Sequence, residues 1–130
     1  MVEQRELRFL AAVQDIFFAA KISAAAKRVG VDVQFVKDEG KLLEDAASSP
    51  SVVIVDLNHA SINPVELVRK LKSNPPERAV QVIGFLSHVQ QDLIREAQKA
   101  GCDLVLPRSV FSQQLDDLLR QRSCHLDECP

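Results

Sequence analysis

Asp15, Asp56, Ser87 and Arg108 are the residues whose types and spacing could do chemistry. Each stands just past a short apolar run. Gln14 and Asp15 follow LRFLAAV, and Asp56 ends SVVIVD; Leu86, Ser87 and His88 follow AVQVIGF, and Pro107, Arg108 and Ser109 follow DLVL. If those runs are parallel strands of one sheet, their ends bring two carboxylates, a hydroxyl and a guanidinium to one crevice. Carboxylate oxygens suit a divalent cation such as Mg²⁺, while a hydroxyl and a fixed cation suit the oxygens of a phosphoryl group. Plainer roles are open to the same residues. Asp15 can cap a helix, Asp56 can cap the loop after its strand, and Ser87 with Gln90 matches a capping box. Arg108 can be the ion-pair partner of the carboxylates, filling the cation's place itself. His88 has no evident acid–base partner and reads as a surface residue.

The elements that must position these residues alternate along the chain. Leu7–Val13 is a first apolar run. Over Asp15–Val29, Ile16, Ala19, Ala20, Ile22, Ala26 and Val29 recur at helical spacing, and Gly30 follows where a helix ends in a left-handed residue. Val31–Val36 alternates as a strand. Asp38 caps a helix with Leu42, Leu43, Ala46 and Ala47 inward, stopped by Ser48, Ser49 and Pro50. Four consecutive β-branched residues in Ser51–Asp56 predict a strand buried on both faces. Asn63 and Pro64, with Glu66 in the capping-box position, open a helix with Val65, Val68 and Leu71 inward, ended by Asn74-Pro75-Pro76. Ala79–Phe85 is a strand. Ser87 opens a helix carrying Val89, Leu93, Ile94, Ala97 and Ala100, which Gly101 closes. Asp103–Leu106 is a strand, and Val110–Arg122 is a helix with Phe111, Leu115, Leu118 and Leu119 inward.

Strands alternating with helices predict a parallel sheet covered on both faces, here a flavodoxin-like three-layer sandwich of five strands in the order 2-1-3-4-5 with five helices. A barrel would need about eight such units. Ligands of an open parallel sheet bind outside the carboxyl ends of the strands, where the strand order reverses. That is the crevice just described. Residues 1–122 read as one domain and 123–130 as a tail.

Composition excludes several classes of function. The 130 residues carry 16 basic and 18 acidic side chains, a formal net charge of −2, which gives no basic excess for a nucleic-acid or membrane-surface binder. Trp and Tyr are absent, so an aromatic platform for single strands or sugars is not expected. Four glycines leave no phosphate-cradling loop. Cys102, Cys124 and Cys129 show no disulfide framework, and Cys124 with His125, Asp127 and Cys129 lacks a second cluster to complete a metal site. No apolar run approaches the ~20 residues of a membrane span, and MVEQRELRF lacks the shape of a signal peptide, so the expectation is a cytoplasmic protein.

Over nearly its whole length the chain resembles the receiver domains of two-component response regulators. VVIVDL around Asp56 is similar to the family's third strand. QVIGFLSHVQQDLIREAQKAGCDLVLPRS is similar to its fourth strand, fourth helix, AG-D turn and fifth strand. The resemblance implies that Asp56 stands where the family accepts a phosphoryl group. It also implies Mg²⁺ held by Asp15, Asp56 and the backbone carbonyl of Asn58, and Ser87 and Arg108 sensing the added charge. Four features depart from the pattern. Gln14-Asp15 offers one acid where two are usual, with Glu39 a candidate replacement. Leu86 falls on the usual Thr/Ser position, with Ser87 one residue on. Arg108 stands for Lys and Ser109 for Pro. LNHASINP lacks the usual Met-Pro and later Gly. Phosphotransfer is therefore expected to be impaired. The chain reads as a stand-alone pseudo-receiver of bacterial type, not an enzyme, acting through contacts with a histidine kinase or another signalling protein, or as a homodimer. The alternative is a small-ligand binder or small enzyme using Asp15, Asp56, His88 and Arg108 at the same crevice.

Overall fold

The computed structural model describes residues 8–48, 51–73, 80–87 and 90–123. In chain order the elements are β1 (Arg8–Ala12), α1 (Ile16–Val29), β2 (Val33–Phe35), α2 (Glu39–Ser48), β3 (Ser51–Asp56), α3 (Pro64–Lys72), β4 (Val80–Leu86), α4 (Gln91–Ala100), β5 (Leu104–Pro107) and α5 (Arg108–Ser123). All strands are parallel, in the expected order β2-β1-β3-β4-β5. Every residue of β3 is buried, as its run of β-branched side chains requires of the middle strand.

The sheet separates two apolar layers. Val53 and Val55 face Leu42 and Ala46 of α2, Leu67, Val68 and Leu71 of α3, and Ala97 and Ala100 of α4. Val52 and Ile54 face Phe18, Ile22, Ala25 and Ala26 of α1 and Phe111, Leu115, Leu118 and Leu119 of α5. In the second layer Phe18, Phe85 and Phe111 pack ring against ring, with centroids 4.7 to 5.8 Å apart. The AG-D turn has a defined structure. Gly101 takes the left-handed φ of 112° that ends α4, and Asp103 Oδ2 accepts from the Val82 amide at 2.8 Å and from Lys72 Nζ at 2.9 Å. These bonds tie β5 and α3 to β4.

Several local expectations are corrected. The buried face of α1 is Phe18, Ile22, Ala25 and Ala26, whereas Ile16 is 74% exposed and Ala20 also faces water. Packing of Phe18 against Phe85 and Phe111 selects this stripe. β2 is only three residues long, and Ala47 is exposed on α2. In α3 Leu67 is buried while Val65 is only partly covered. Asn63 Oδ1 accepts from the Glu66 amide at 3.2 Å, half of the capping box; the Glu66 carboxylate pairs with Arg69 instead. α4 starts at Gln91, not after Ser87, and β4 continues to Leu86. α5 starts at Arg108 and extends to Ser123, one residue into the expected tail. Residues 124–130, Pro50, Asn74-Pro75-Pro76, His88 and Val89 lie outside the described residues. Among the described residues no helix is long and apolar enough to cross a membrane.

Candidate functional site

The strands bring their carboxyl ends to one level: Ala12 of β1 pairs with Val55, Asp56 of β3 with Phe85, and Leu86 of β4 with Pro107. Asp15, Asp56, Ser87 and Arg108 follow or end these strands and gather there. Two linked groups form.

The first group joins Asp15 to Arg108 across 93 positions of sequence. Asp15 caps α1, its Oδ1 accepting from the amides of Phe17 at 2.9 Å and Phe18 at 3.3 Å. Its Oδ2 accepts from Arg108 Nη2 at 2.7 Å. The Arg108 guanidinium, and after it the Phe17 amide, hold the Asp15 carboxyl below its ordinary value of 3.8. Arg108 lies over the Phe18 ring, 4.6 Å from Cζ to centroid, and its Nη1 is 3.5 Å from Ser87 Oγ. Ring, carboxylate and hydroxyl together set the plane and direction of the guanidinium, so this Arg has a built seat.

The second group centres on Asp56, 7% exposed at the end of β3. Its Oδ1 accepts from the Asn58 amide at 3.0 Å, so the plainer loop-capping role is present. Asn58 Oδ1 accepts from the Ser87 amide at 2.7 Å, and Asn58 Nδ2 donates to Gln90 Oε1 at 3.0 Å. Ser87 is therefore not the cap of α4. Its amide belongs to Asn58, and Gln90 holds the position before the helix with no side-chain capping bond. Leu86 is fully buried, so the place that would carry a hydroxyl by resemblance holds a core side chain. Gln14 Oε1 accepts from the Ala60 amide at 2.9 Å and fastens the loop after β3 to β1.

Two hollows flank the first turn of α1. An open cleft of about 630 Å³ is lined by Phe17, Lys21, Ser87, Arg108, Ser109 and Ser112 among others; Asp56 is not among the described residues that line it. On the other side, Val13, Ile16, Ala19, Phe35 and Val36 line a largely apolar pocket of about 300 Å³, together with Lys37, His59 and Ser61.

The donor set does not fit a divalent cation held jointly by Asp15 and Asp56. One Asp15 oxygen accepts from helix amides and the other from a guanidinium, so a divalent cation there would stand against the Arg108 charge. Glu39, the candidate replacement acid, pairs with Lys70 at 3.0 Å. Among the described residues no group of three or more His, Cys, Asp and Glu side chains is placed to hold a metal. Phe18, Asn58 and Gln90 have roles here that residue types did not announce. The signal for the Asx turn is Asp56 itself, a strand-end Asp whose side chain can accept from the backbone N–H two residues on.

No family model matches the chain, and no curated protein does either. The fold is shared with solved structures. A response regulator receiver domain from Rhodospirillum rubrum is 17% identical with a TM-score of 0.75, over 92% of this chain and 95% of that one. A Vibrio cholerae chemotaxis protein is 17% identical with a TM-score of 0.74, over 88% and 97%. A putative pilus assembly-related protein from Burkholderia pseudomallei is 15% identical with a TM-score of 0.70, over 100% and 98%. At this identity the likeness establishes the receiver-type, flavodoxin-like fold.

Proposed function

We propose that this chain is a receiver-like signalling domain of the pseudo-receiver type, which works through protein contacts and not through Mg²⁺-dependent phosphorylation of Asp56. The observation that carries the reading is the 2.7 Å bond between Arg108 and Asp15. A receiver site needs a hard cation between its acidic oxygens to neutralise charge during phosphoryl transfer. Arg108 supplies a permanent positive charge at Asp15 instead, on a planar group that Asp15, Phe18 and Ser87 hold in place.

In this reading Asp15 and Asp56 are no longer equivalent partners. Asp15 orients Arg108 and caps α1, while Asp56 fixes the loop that carries Asn58. The site then holds one arrangement, and the domain presents a constant surface to a signalling protein such as a histidine kinase, or to a second copy of itself. The fold shared with a response regulator receiver domain and a chemotaxis protein supports signalling over catalysis.

A Mg²⁺ and beryllofluoride titration followed by amide resonances tests the reading. The expected spectrum is unchanged at Asp56, Ser87 and Arg108. Movement at all three that Asp56→Asn abolishes would overturn the proposal in favour of an active receiver.

A further inference from the structure

We propose that the apolar pocket beside the start of α1 binds a small monocarboxylic acid with an apolar body, such as a short aliphatic acid. The pocket lies across the first turn of α1 from the cleft that holds Arg108, and neither Asp56 nor Arg108 is among the described residues that line it. The inference goes beyond the pseudo-receiver reading and does not rest on it.

Four segments enclose the volume of about 300 Å³: the end of β1, the start of α1, the end of β2 with the residues after it, and the loop after β3. That size is at the small end of sites for organic ligands, ~300–1,000 Å³. Hydrogen bonds hold the walls to one another. The Val36 amide donates to the Ala11 carbonyl at 2.9 Å, and Gln14 Oε1 accepts from the Ala60 amide at 2.9 Å. Walls fastened in this way need little ordering when a ligand enters.

The apolar part of the lining is open to water. Three large apolar side chains are exposed among the described residues, Ile16, Phe17 and Phe35, and two of them, Ile16 and Phe35, line this pocket. Covering them with an apolar body removes that surface from water, which is the driving force for filling the pocket.

The polar part selects the charge of the ligand. Ser61 N–H donates to His59 Nδ1 at 3.1 Å, so that nitrogen is unprotonated and the hydrogen of the neutral ring is on Nε2, a donor. Neither His59 Nε2 nor Lys37 Nζ has a partner among the described residues. No Asp or Glu is among the described residues of the lining. The acids nearest in sequence are engaged elsewhere: Asp38 accepts from the Lys41 amide at 3.1 Å, and Asp15 from Arg108. An apolar wall with an ammonium and an imidazole N–H complements a carboxylate on an apolar body. One cation matches one negative charge, which favours a monocarboxylate over a phosphate dianion.

Hexanoate titrated into the isotope-labelled full chain tests this. Amide resonances of Val13, Ile16, Ala19 and Lys37 should shift together and saturate, with a Kd of about 1 mM or tighter. Hexanamide, which keeps the shape without the charge, should bind about fivefold more weakly or worse. Lys37→Ala should weaken hexanoate about three- to tenfold and leave hexanamide unchanged. Ala19→Leu, which adds bulk to the lining, should abolish binding of both, with the urea midpoint reporting that the chain stays folded. Should Ala19→Leu unfold the chain, Lys37→Glu, a change at an exposed residue, should remove hexanoate binding and spare hexanamide. Hexanamide binding as tightly as hexanoate, shifts that stay linear with concentration, or saturation at Ser87 and Arg108 in place of this pocket would overturn the proposal. So would resonances of Ile16 and Phe35 that move with protein concentration while hexanoate leaves them still, since a second copy of the chain then covers them. A response to beryllofluoride at Asp56 bears on the pseudo-receiver reading alone.

Discussion

Arg108 Nη2 lies 2.7 Å from Asp15 Oδ2, so the start of α5 and the start of α1 are joined by an ion pair at the mouth of the sheet. Both side chains keep about a third of their surface exposed, 35% and 37%, so the bond fixes an arrangement more than it adds stability. Its consequence is competition for one carboxylate oxygen. Arg108→Lys, which loses the planar fork and the contact over Phe18, should release Asp15 and increase Mg²⁺ binding. Paramagnetic broadening by Mn²⁺ at Asp15 and Asp56 provides the measurement, and unchanged binding counts against the competition.

The same pair sets a pH dependence. Asp15 has a lowered folded-state pKa, so its contribution is complete above its ordinary value of 3.8 and disappears as pH falls through the lowered value. Asp15→Asn, which retains a capping oxygen, should therefore lower the urea midpoint at pH 7. The gap to the parent protein should narrow towards pH 3. A gap that stays constant between the two pH values contradicts the assignment.

Neighbouring phenylalanines should respond in opposite ways. Phe18 is buried in the Phe18–Phe85–Phe111 cluster, and Phe18→Ala should cost about 3–5 kcal/mol in urea unfolding. Phe17, one residue earlier, is 81% exposed, and Phe17→Ala should change stability by about 0.5 kcal/mol or less.

Gly84 is held to glycine by space and not by its backbone angle. A Cβ there would lie 2.9 Å from Leu57 Cδ1 and 3.1 Å from Cys102 Sγ. Gly84→Ala should destabilise by about 1–3 kcal/mol, read from the urea midpoint at unchanged slope.

The Cys102 thiol is buried and its pKa pushed up to about 11, chiefly by loss of solvation. Alkylation at pH 8 followed by peptide mapping should leave Cys102 unmodified in the folded protein and modify it in urea. Rapid labelling of the native chain at this position would contradict its burial.

The parts of the fold that were legible in the sequence are those set by strong local patterns. Four β-branched residues in a row pointed to a strand covered on both faces, and Gly30 and Gly101 marked helix ends, where they adopt left-handed angles. The face of α1 was not legible, because IFFAAKISAAAKRV carries two overlapping apolar stripes. Only the aromatic rings of β4 and α5, far along the chain, decide that Phe18 turns inward and Ile16 outward. Ser87 and Gln90 match a capping box, yet the Ser87 amide is claimed by Asn58, 29 positions earlier, and the helix begins later. At the candidate site the residue types and their convergence were readable, as was the option of Arg108 as an ion-pair partner. Which oxygen Arg108 takes depends on the strand register, and that exists only in the assembled sheet.

The brevity of β2 bears on how the molecule behaves when it opens. SVVIVD is the kind of uncharged-centred, β-branched segment that stacks with copies of itself once its edges are free. Here it lies between β1 and β4, and the strands at the sheet margins offer little to build on: three residues in β2, and four in β5, the last a proline with no N–H to give. A neighbouring molecule therefore finds no long ladder to extend while the sheet is intact. Fibrillar association should track the population of fully opened chains, and agents that raise the folding stability should suppress it in proportion.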